Sequence, residues 1–275
     1  MTDHDHPQKS HVSGVFHRAS ETYDMVGVDF FSPLAAALVA RASLEPGMCV
    51  LDLGTGRGAA LRAAADAVGS TGEVHGVDLA PGMVERTSRD VAGLPHVSVS
   101  LGDADYPPAR TDGWDAVIAS FVLFFLPDPV GAATRVRSVL RPGGAFMVST
   151  FDAPDERWKV VEAAVRPYWP PTDVPSHPSQ LSSFATVEST EDLLHRAGYA
   201  DITTEVVAHV NVYTDVDQWL AWTWSAGARV IWERVPEADR DAALAAGAEA
   251  AAGLADADGL RRERFAVRLT RAVAP

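Results

Sequence analysis

Residues 49–60 read CVLDLGTGRGAA. An apolar run, Cys49 to Leu53, carries a single acid, Asp52, and glycines then follow at alternate positions: Gly54, Gly56 and Gly58. The run predicts a buried strand, and Ala59 to Val68, rich in alanine, predicts the helix after it. Glycine between a strand and a helix serves where something must come very close to the main chain. The stretch therefore reads as the first strand–turn–helix unit of a sheet, with a ligand cradle at its turn.

The same alternation continues outward for about a hundred residues. Strands are expected at Val74 to Val77, Val97 to Leu101, Ala116 to Leu123 and Ala145 to Phe151. Helices are expected from Pro81 to about Asp90 and from Asp128-Pro129 onward. Upstream, Ser32 and Pro33 offer a cap and a first turn for LAAALVARASL. Alternating β and α units imply a mostly parallel sheet with helices on both faces. Beyond Phe151 the order loosens. A helix over Glu156 to Tyr168, a proline-rich loop, a helix over Ser189 to Ala197, a strand over Ile202 to Tyr213, a helical stretch over Val216 to Ala252 and a strand over Arg264 to Val273 are expected. Residues 1–20 read as a flexible tail, 21–153 as the α/β core with an N-terminal lid helix, and 154–275 as the rest of the sheet. Insertions near 154–187 and 214–260 are expected to form a cap.

The chain has 275 residues, 47% of them hydrophobic, and a formal net charge of −14. A binder of nucleic-acid backbone needs a basic face, and no lysine/arginine cluster offers one, so nucleic acid is not an expected partner. The single cysteine, Cys49, excludes an internal disulfide and a cysteine-rich zinc site. The polar opening MTDHDHPQKSH has no apolar core of a leader, and no apolar stretch reaches membrane-spanning length. A cytoplasmic protein is expected, monomeric or homodimeric, acting on a small molecule without a membrane.

Three acids fall at successive strand ends. Asp52 stands beside the glycines, a poor neighbour for a pyrophosphate and a good one for a cationic ligand. Asp78 ends the second strand, where a carboxylate can accept both hydroxyls of a ribose. Asp103, with Ala104 behind it in GDAD, can read an adenine edge by accepting from its amino group while the backbone N–H donates to a ring nitrogen.

With these residues in place, VLDLGTGRG, GVDLAPGMVE, GDAD, WDAVIASFVLFFLPDP and LRPGGAFMVSTF resemble the successive motifs of class I S-adenosylmethionine-dependent methyltransferases. The ubiquinone/menaquinone-biosynthesis type and its small-molecule relatives are the nearest in pattern. The resemblance spans about Tyr23 to Phe151. It implies a Rossmann-like seven-stranded fold and S-adenosyl-L-methionine as cofactor. It also implies that Gly54, Thr55 and Gly56 pack on that cofactor, that Asp78 binds its ribose, that Leu79 is among the cofactor-binding residues, and that Asp103 and Ala104 hold its adenine. Met83 would line the adenine pocket, Ser120 would lie near the methionine moiety, and Tyr23 and Phe30 would form a lid. Arg57, where relatives often carry a small residue, is expected to face solvent or a water on the cofactor's side.

Methyl transfer needs alignment and exclusion of water more than a conspicuous catalytic group. Ser120-Phe121 replaces the aspartate that metal-dependent catechol methylators place there, so no metal is expected. Phe121, Phe124 and Phe125, with Trp219, Trp222, Trp224 and Trp232, suggest a hydrophobic, aromatic natural-product or quinone-like substrate, with O-methylation favoured. His177, His209 and Tyr213 are the candidate bases, with Tyr168 a further one. A methyltransferase-fold cyclase, or a binding protein that keeps the cofactor without transferring its methyl group, stands as the alternative.

Overall fold

The computed structural model describes residues 7–170 and 183–275. The alternating units assemble into one seven-stranded sheet in the order β3-β2-β1-β4-β5-β7-β6. The strands are β1 (Cys49–Leu53), β2 (Glu73–Asp78), β3 (Val97–Leu101), β4 (Trp114–Ser120), β5 (Leu140–Phe151), β6 (Ala200–Tyr213) and β7 (Arg261–Val273). The first five pair in parallel, and β7 runs antiparallel between β5 and β6. β1 and β4 are neighbours, and the chain builds outward from them in opposite directions. This is the switch point at which such sheets open a crevice above their carboxyl ends.

The buried strands show why. In β1 the period-two alternation places Val50 in one core layer and Leu51 and Leu53 in the other. Helices α2 (Phe31–Ala40) and α3 (Ala59–Val68) cover the first layer. Helices α5 (Pro129–Val139) and α7 (Val187–Arg196) cover the second; α4 (Pro81–Asp90) and α6 (Lys159–Val165) lie between them in chain order. Asp128 caps α5 by accepting from Gly131 N at 2.9 Å, and Thr186 and Ser189 form a reciprocal capping box on α7. Each such cap contributes about 1 kcal/mol.

Several expectations are corrected. Residues 7–19 are not part of a flexible tail: they form a helix, α1 (Pro7–Ala19). Lys9, Val12, Ser13 and Phe16 follow the i, i+3, i+4, i+7 spacing of one helical face, and that face docks on the sheet's carboxyl edge. Ser32 does not cap α2, whose N-cap is Phe30 with no side-chain hydrogen bond. The helical stretch after Val216 is three pieces, α8 (Val216–Ser225), α9 (Arg229–Glu233) and α10 (Arg240–Ala252), broken at Ala226-Gly227 and Pro236. β7 starts at Arg261, so it runs antiparallel beside the whole of β6, from Tyr213 opposite Arg261 to Ala200 opposite Val273.

Candidate functional site

The turn after β1 is shaped by its glycines. Gly54, Gly56 and Gly58 have φ of +63°, +52° and +77°, where a side chain is strained. A Cβ on Gly54 would lie 2.5 Å from Val122 Cγ2, on the segment just past β4, so the two chains at the switch point touch main chain to side chain. Beneath the turn, Thr55 Oγ1 donates to Asp52 at 2.6 Å, and Thr55 N donates to Val77 O at 3.0 Å. Asp52 is fully buried on the Val50 face of β1. Burial pushes its carboxyl up to about 7 against the Thr55 hydrogen bond. Asp52 and Thr55 therefore underpin the loop and do not line its pocket. Arg57 does not face solvent: it donates to Ser20 O at 3.0 Å and pairs with Asp90 at 2.7 Å.

Above the turn lies a small pocket of about 100 Å³, lined by Gly54, Gly56, Asp78, Leu79, Asp103, Ala104, Ser120 and Tyr23. One carboxylate oxygen of Asp78 accepts from Gly56 N at 2.8 Å, and the other accepts from Ala80 N at 2.8 Å. Burial raises this carboxyl, and the backbone donors oppose the rise. Asp103 accepts from Lys9 Nζ at 2.8 Å, and Lys9 also reaches Asp105 at 2.7 Å. Burial works against the Lys9 ammonium, but the two carboxylates outweigh it and raise its pKa. Lys9, Val12 and Phe16 of α1 line this pocket too, and sequence reasoning missed all three. Their helical spacing was the available signal.

Two expected members are elsewhere. Met83 is fully buried within α4 and lines neither pocket, because its position on the helix faces the core. Phe30 lines a second, larger cavity, where its ring meets those of Phe121, Phe265 and Trp222 at centroid separations of 5.6, 5.0 and 5.9 Å.

That cavity measures about 790 Å³ and lies above the sheet, walled by aromatic residues of the sheet edge and of 154–169 and 219–232. Phe124, Trp219, Trp222 and Trp232 line it; Trp224 does not, and stacks 6.5 Å from Trp232. Phe16, Tyr23, Phe121 and Phe125 line both cavities and form their common wall. Phe121 holds φ at +59°, an uncommon conformation for a bulky residue, fixed where its N–H donates to Ser149 Oγ at 3.0 Å.

The candidate bases fare differently. His177 lies outside the described residues. His209 is on β6 with its ring edge-on to Phe30 at 5.3 Å, and it lines neither cavity. Tyr213 is fully buried and donates to Glu263 Oε2 at 2.6 Å. Burial and the Glu263 charge drive its phenol far above the ordinary range, so it is a donor and not a base. Tyr168 is half-buried against the core. Glu263, which lines the large cavity, was not singled out from the sequence. Among the described residues no group of three or more histidine, cysteine or acidic side chains is placed to hold a metal ion, and no helix is long and apolar enough to cross a membrane.

A doubly wound sheet with a glycine turn at its switch point and carboxylates at the ends of β2 and β3 defines a nucleoside-binding α/β protein. Residues 29–204 match the family model described as a methyltransferase domain, and the chain belongs to that family: it is an S-adenosylmethionine-dependent methyltransferase. Among its relatives, the nocamycin O-methyltransferase of Saccharothrix syringae is 36% identical over 246 residues, 84% of this chain and 87% of that protein. The aklanonic acid methyltransferase DauC of Streptomyces sp. (strain C5) is 39% identical over 179 residues, 64% of this chain and 78% of that protein. Similar solved folds include Haemonchus contortus phosphoethanolamine N-methyltransferase 2 in complex with S-adenosyl-L-methionine. It has a TM-score of 0.55 and 18% identity, covering 96% of this chain and 57% of that one. The [4+2]-cyclase SpnF has a TM-score of 0.54 and 20% identity, covering 89% and 81%. At such identities the likeness concerns the fold alone.

Proposed function

We propose that the enzyme O-methylates a hydrophobic, aromatic small molecule of the natural-product kind, held in the large cavity. The observation that carries this is the common wall. Four aromatic residues line both a cavity of about 790 Å³ and the pocket at the glycine turn, so an acceptor held in the one lies next to a donor held in the other. The names of the two relatives, an O-methyltransferase and a methyltransferase of an acid, support the same class of chemistry.

S-adenosylmethionine supplies an activated methyl group on a sulfonium. The residues around the small pocket suit it. Gly54 and Gly56 offer main chain without side chains beside the pocket, and Asp78, held by the backbone N–H groups of Gly56, Ala80 and Leu79, still faces it as an acceptor for a ribose hydroxyl. In this proposal Leu79 packs on the ribose, Asp103 and the Ala104 N–H read the adenine edge, and Ser120 lies toward the methionine end. Asp52 and Thr55 hold the turn in shape. The aromatic wall of Phe16, Tyr23, Phe121 and Phe125 suits a sulfonium by cation–π attraction and keeps water out. A pocket of about 100 Å³ is below the ~300 Å³ at which small-molecule sites begin. Helix α1 and Tyr23 therefore yield as the cofactor enters, and Lys9 exchanges its contact with Asp103 for one with Asp105 alone.

The test is incubation with methyl-labelled S-adenosylmethionine and a panel of phenols and aromatic carboxylic acids. Label recovered as a methyl ether or ester is the expected result. Label on nitrogen or carbon refutes O-methylation, and consumption of a substrate with all label left on the cofactor supports a cyclase instead.

A further inference from the structure

The wall of the large cavity carries three acids in unlike situations. Asp155 accepts from Arg157 N and Arg264 N, one on each oxygen, both at 2.9 Å. Glu162 stands on an exposed position of α6. Glu263 is half-buried on β7 and faces the cavity from the end of a hydrogen-bonded row. His209, Asn211 and Tyr213 alternate along β6 and so share one face, and Asn211 stands opposite Glu263 in register. His209 Nε2 lies 3.2 Å from Asn211 Oδ1, Asn211 Nδ2 donates to Tyr213 Oη at 3.0 Å, and Tyr213 Oη donates to Glu263 Oε2 at 2.6 Å. With the amide nitrogen of Asn211 committed to Tyr213, its oxygen requires a donor from His209. Every donor in the row thus points toward Glu263.

A row polarised in one direction ends on an acceptor, and an acceptor in an apolar, aromatic enclosure is costly unless a further donor reaches it. The ring of Tyr213 packs 5.6 Å from Trp158 and 5.9 Å from Trp222, which fixes the row's last member. Val267 pairs with Phe151 at the carboxyl end of β5, and Glu263 is four residues earlier on β7, beyond the end of β5 by roughly 13 Å at ~3.3 Å per residue. None of the row belongs to the wall shared with the small pocket. We propose that Glu263, positioned by Tyr213, is a specificity subsite for a hydroxyl borne by the substrate at the end remote from its methyl-accepting group. This rests on the reading that an aromatic small molecule fills the cavity.

The chemistry fixes the sign of the pH dependence. Burial pushes the Glu263 carboxyl up to about 7, the Tyr213 hydrogen bond opposes this, and the Asp155 charge adds to it. A hydroxyl donates best to the ionised form, so such a ligand binds more tightly as pH rises through about 7. A carbonyl would show the opposite trend. The charged and titratable groups on this side are Tyr213 and His209 from β6, Asp155 before α6, and Lys159 and Glu162 on α6.

The probes are para,para′-dihydroxybiphenyl and para-phenylphenol, which differ by one terminal hydroxyl. Each is titrated by calorimetry into protein saturated with S-adenosylhomocysteine, on both sides of pH 7. The wild type is expected to prefer the diol at least tenfold above pH 7. Glu263→Leu abolishes the preference, Tyr213→Phe narrows it, and Glu263→Gln keeps part of it without pH dependence. The last decides the matter if the leucine variant does not fold. S-adenosylhomocysteine affinity stays constant throughout. Equal affinities in the wild type, no saturable binding of the diol, or an undiminished preference in Glu263→Leu or Glu263→Gln at every pH overturns the subsite. If the diol preference holds but the transfer assay puts label on nitrogen or carbon, the O-methylation reading falls and the subsite stands.

Discussion

Replacing Gly54 with alanine should cost stability through two separable effects. The residue holds φ at +63°, and a left-handed conformation costs a non-glycine residue about 1–2 kcal/mol. The new Cβ would also lie 2.5 Å from Val122 Cγ2 and 3.2 Å from its Cγ1, on a branched side chain with little freedom to turn. Overpacking of this kind costs about 1–3 kcal/mol. Together these give about 2–5 kcal/mol, and at about 2 °C per kcal/mol for a chain of this size the melting temperature falls by roughly 4–10 °C. Gly259 is the control: its φ is +82° and nothing lies within 4 Å of a Cβ there, so Gly259→Ala should lose only the strain, about 2–4 °C. A double-mutant cycle isolates the contact, because Val122→Ala removes both offending carbons. Thermal unfolding of the four proteins of the cycle and the control is the assay. If Gly54→Ala costs no more than Gly259→Ala, or costs the same with and without Val122, the close approach at the switch point is not what requires glycine.

Two further outcomes follow from buried charge. The folded state holds a proton on Asp52 up to about pH 7, whereas the unfolded chain releases it near the ordinary carboxyl value of 3.8. Folding therefore loses stability as pH rises between those values, and Asp52→Asn should gain on the wild type over that window and level off above it. Urea unfolding of the pair across the range checks this, and a constant difference sinks it. Lys9→Met removes the cation shared by Asp103 and Asp105 while Arg135 stays paired with Asp105, and it should cost about 1–3 kcal/mol. It should also speed amide exchange in residues 7–19, while unchanged stability and exchange would deny α1 its anchor.

The fold was legible because its signals are local. Period-two runs, helix-length gaps between them and the glycine turn after β1 suffice to order a doubly wound sheet, and the acids at the ends of β2 and β3 mark its ligand edge. The same alternation places Asp52 on the Val50 face, under α3, and not in the pocket. Helix α1 escaped notice because its anchor is the pairing of Lys9 with Asp103, across 94 residues of chain. The row ending at Glu263 was hidden for a like reason. Tyr213 and Glu263 are 50 residues apart and meet only through the register of the antiparallel β6–β7 pair. Nothing in the spacing of either residue distinguishes a buried donor from a base, so the sequence alone offers Tyr213 as either.

The most direct measurement is calorimetric titration of the emptied protein with S-adenosylhomocysteine, in parallel with Asp78→Ala. Saturable binding to the wild type, at least tenfold (about 1.4 kcal/mol) weaker in the folded variant, is the expected result. Equal affinity in the two proteins would contradict the placement of the ribose on Asp78, and absence of binding to the folded wild type would contradict a cofactor site at the glycine turn.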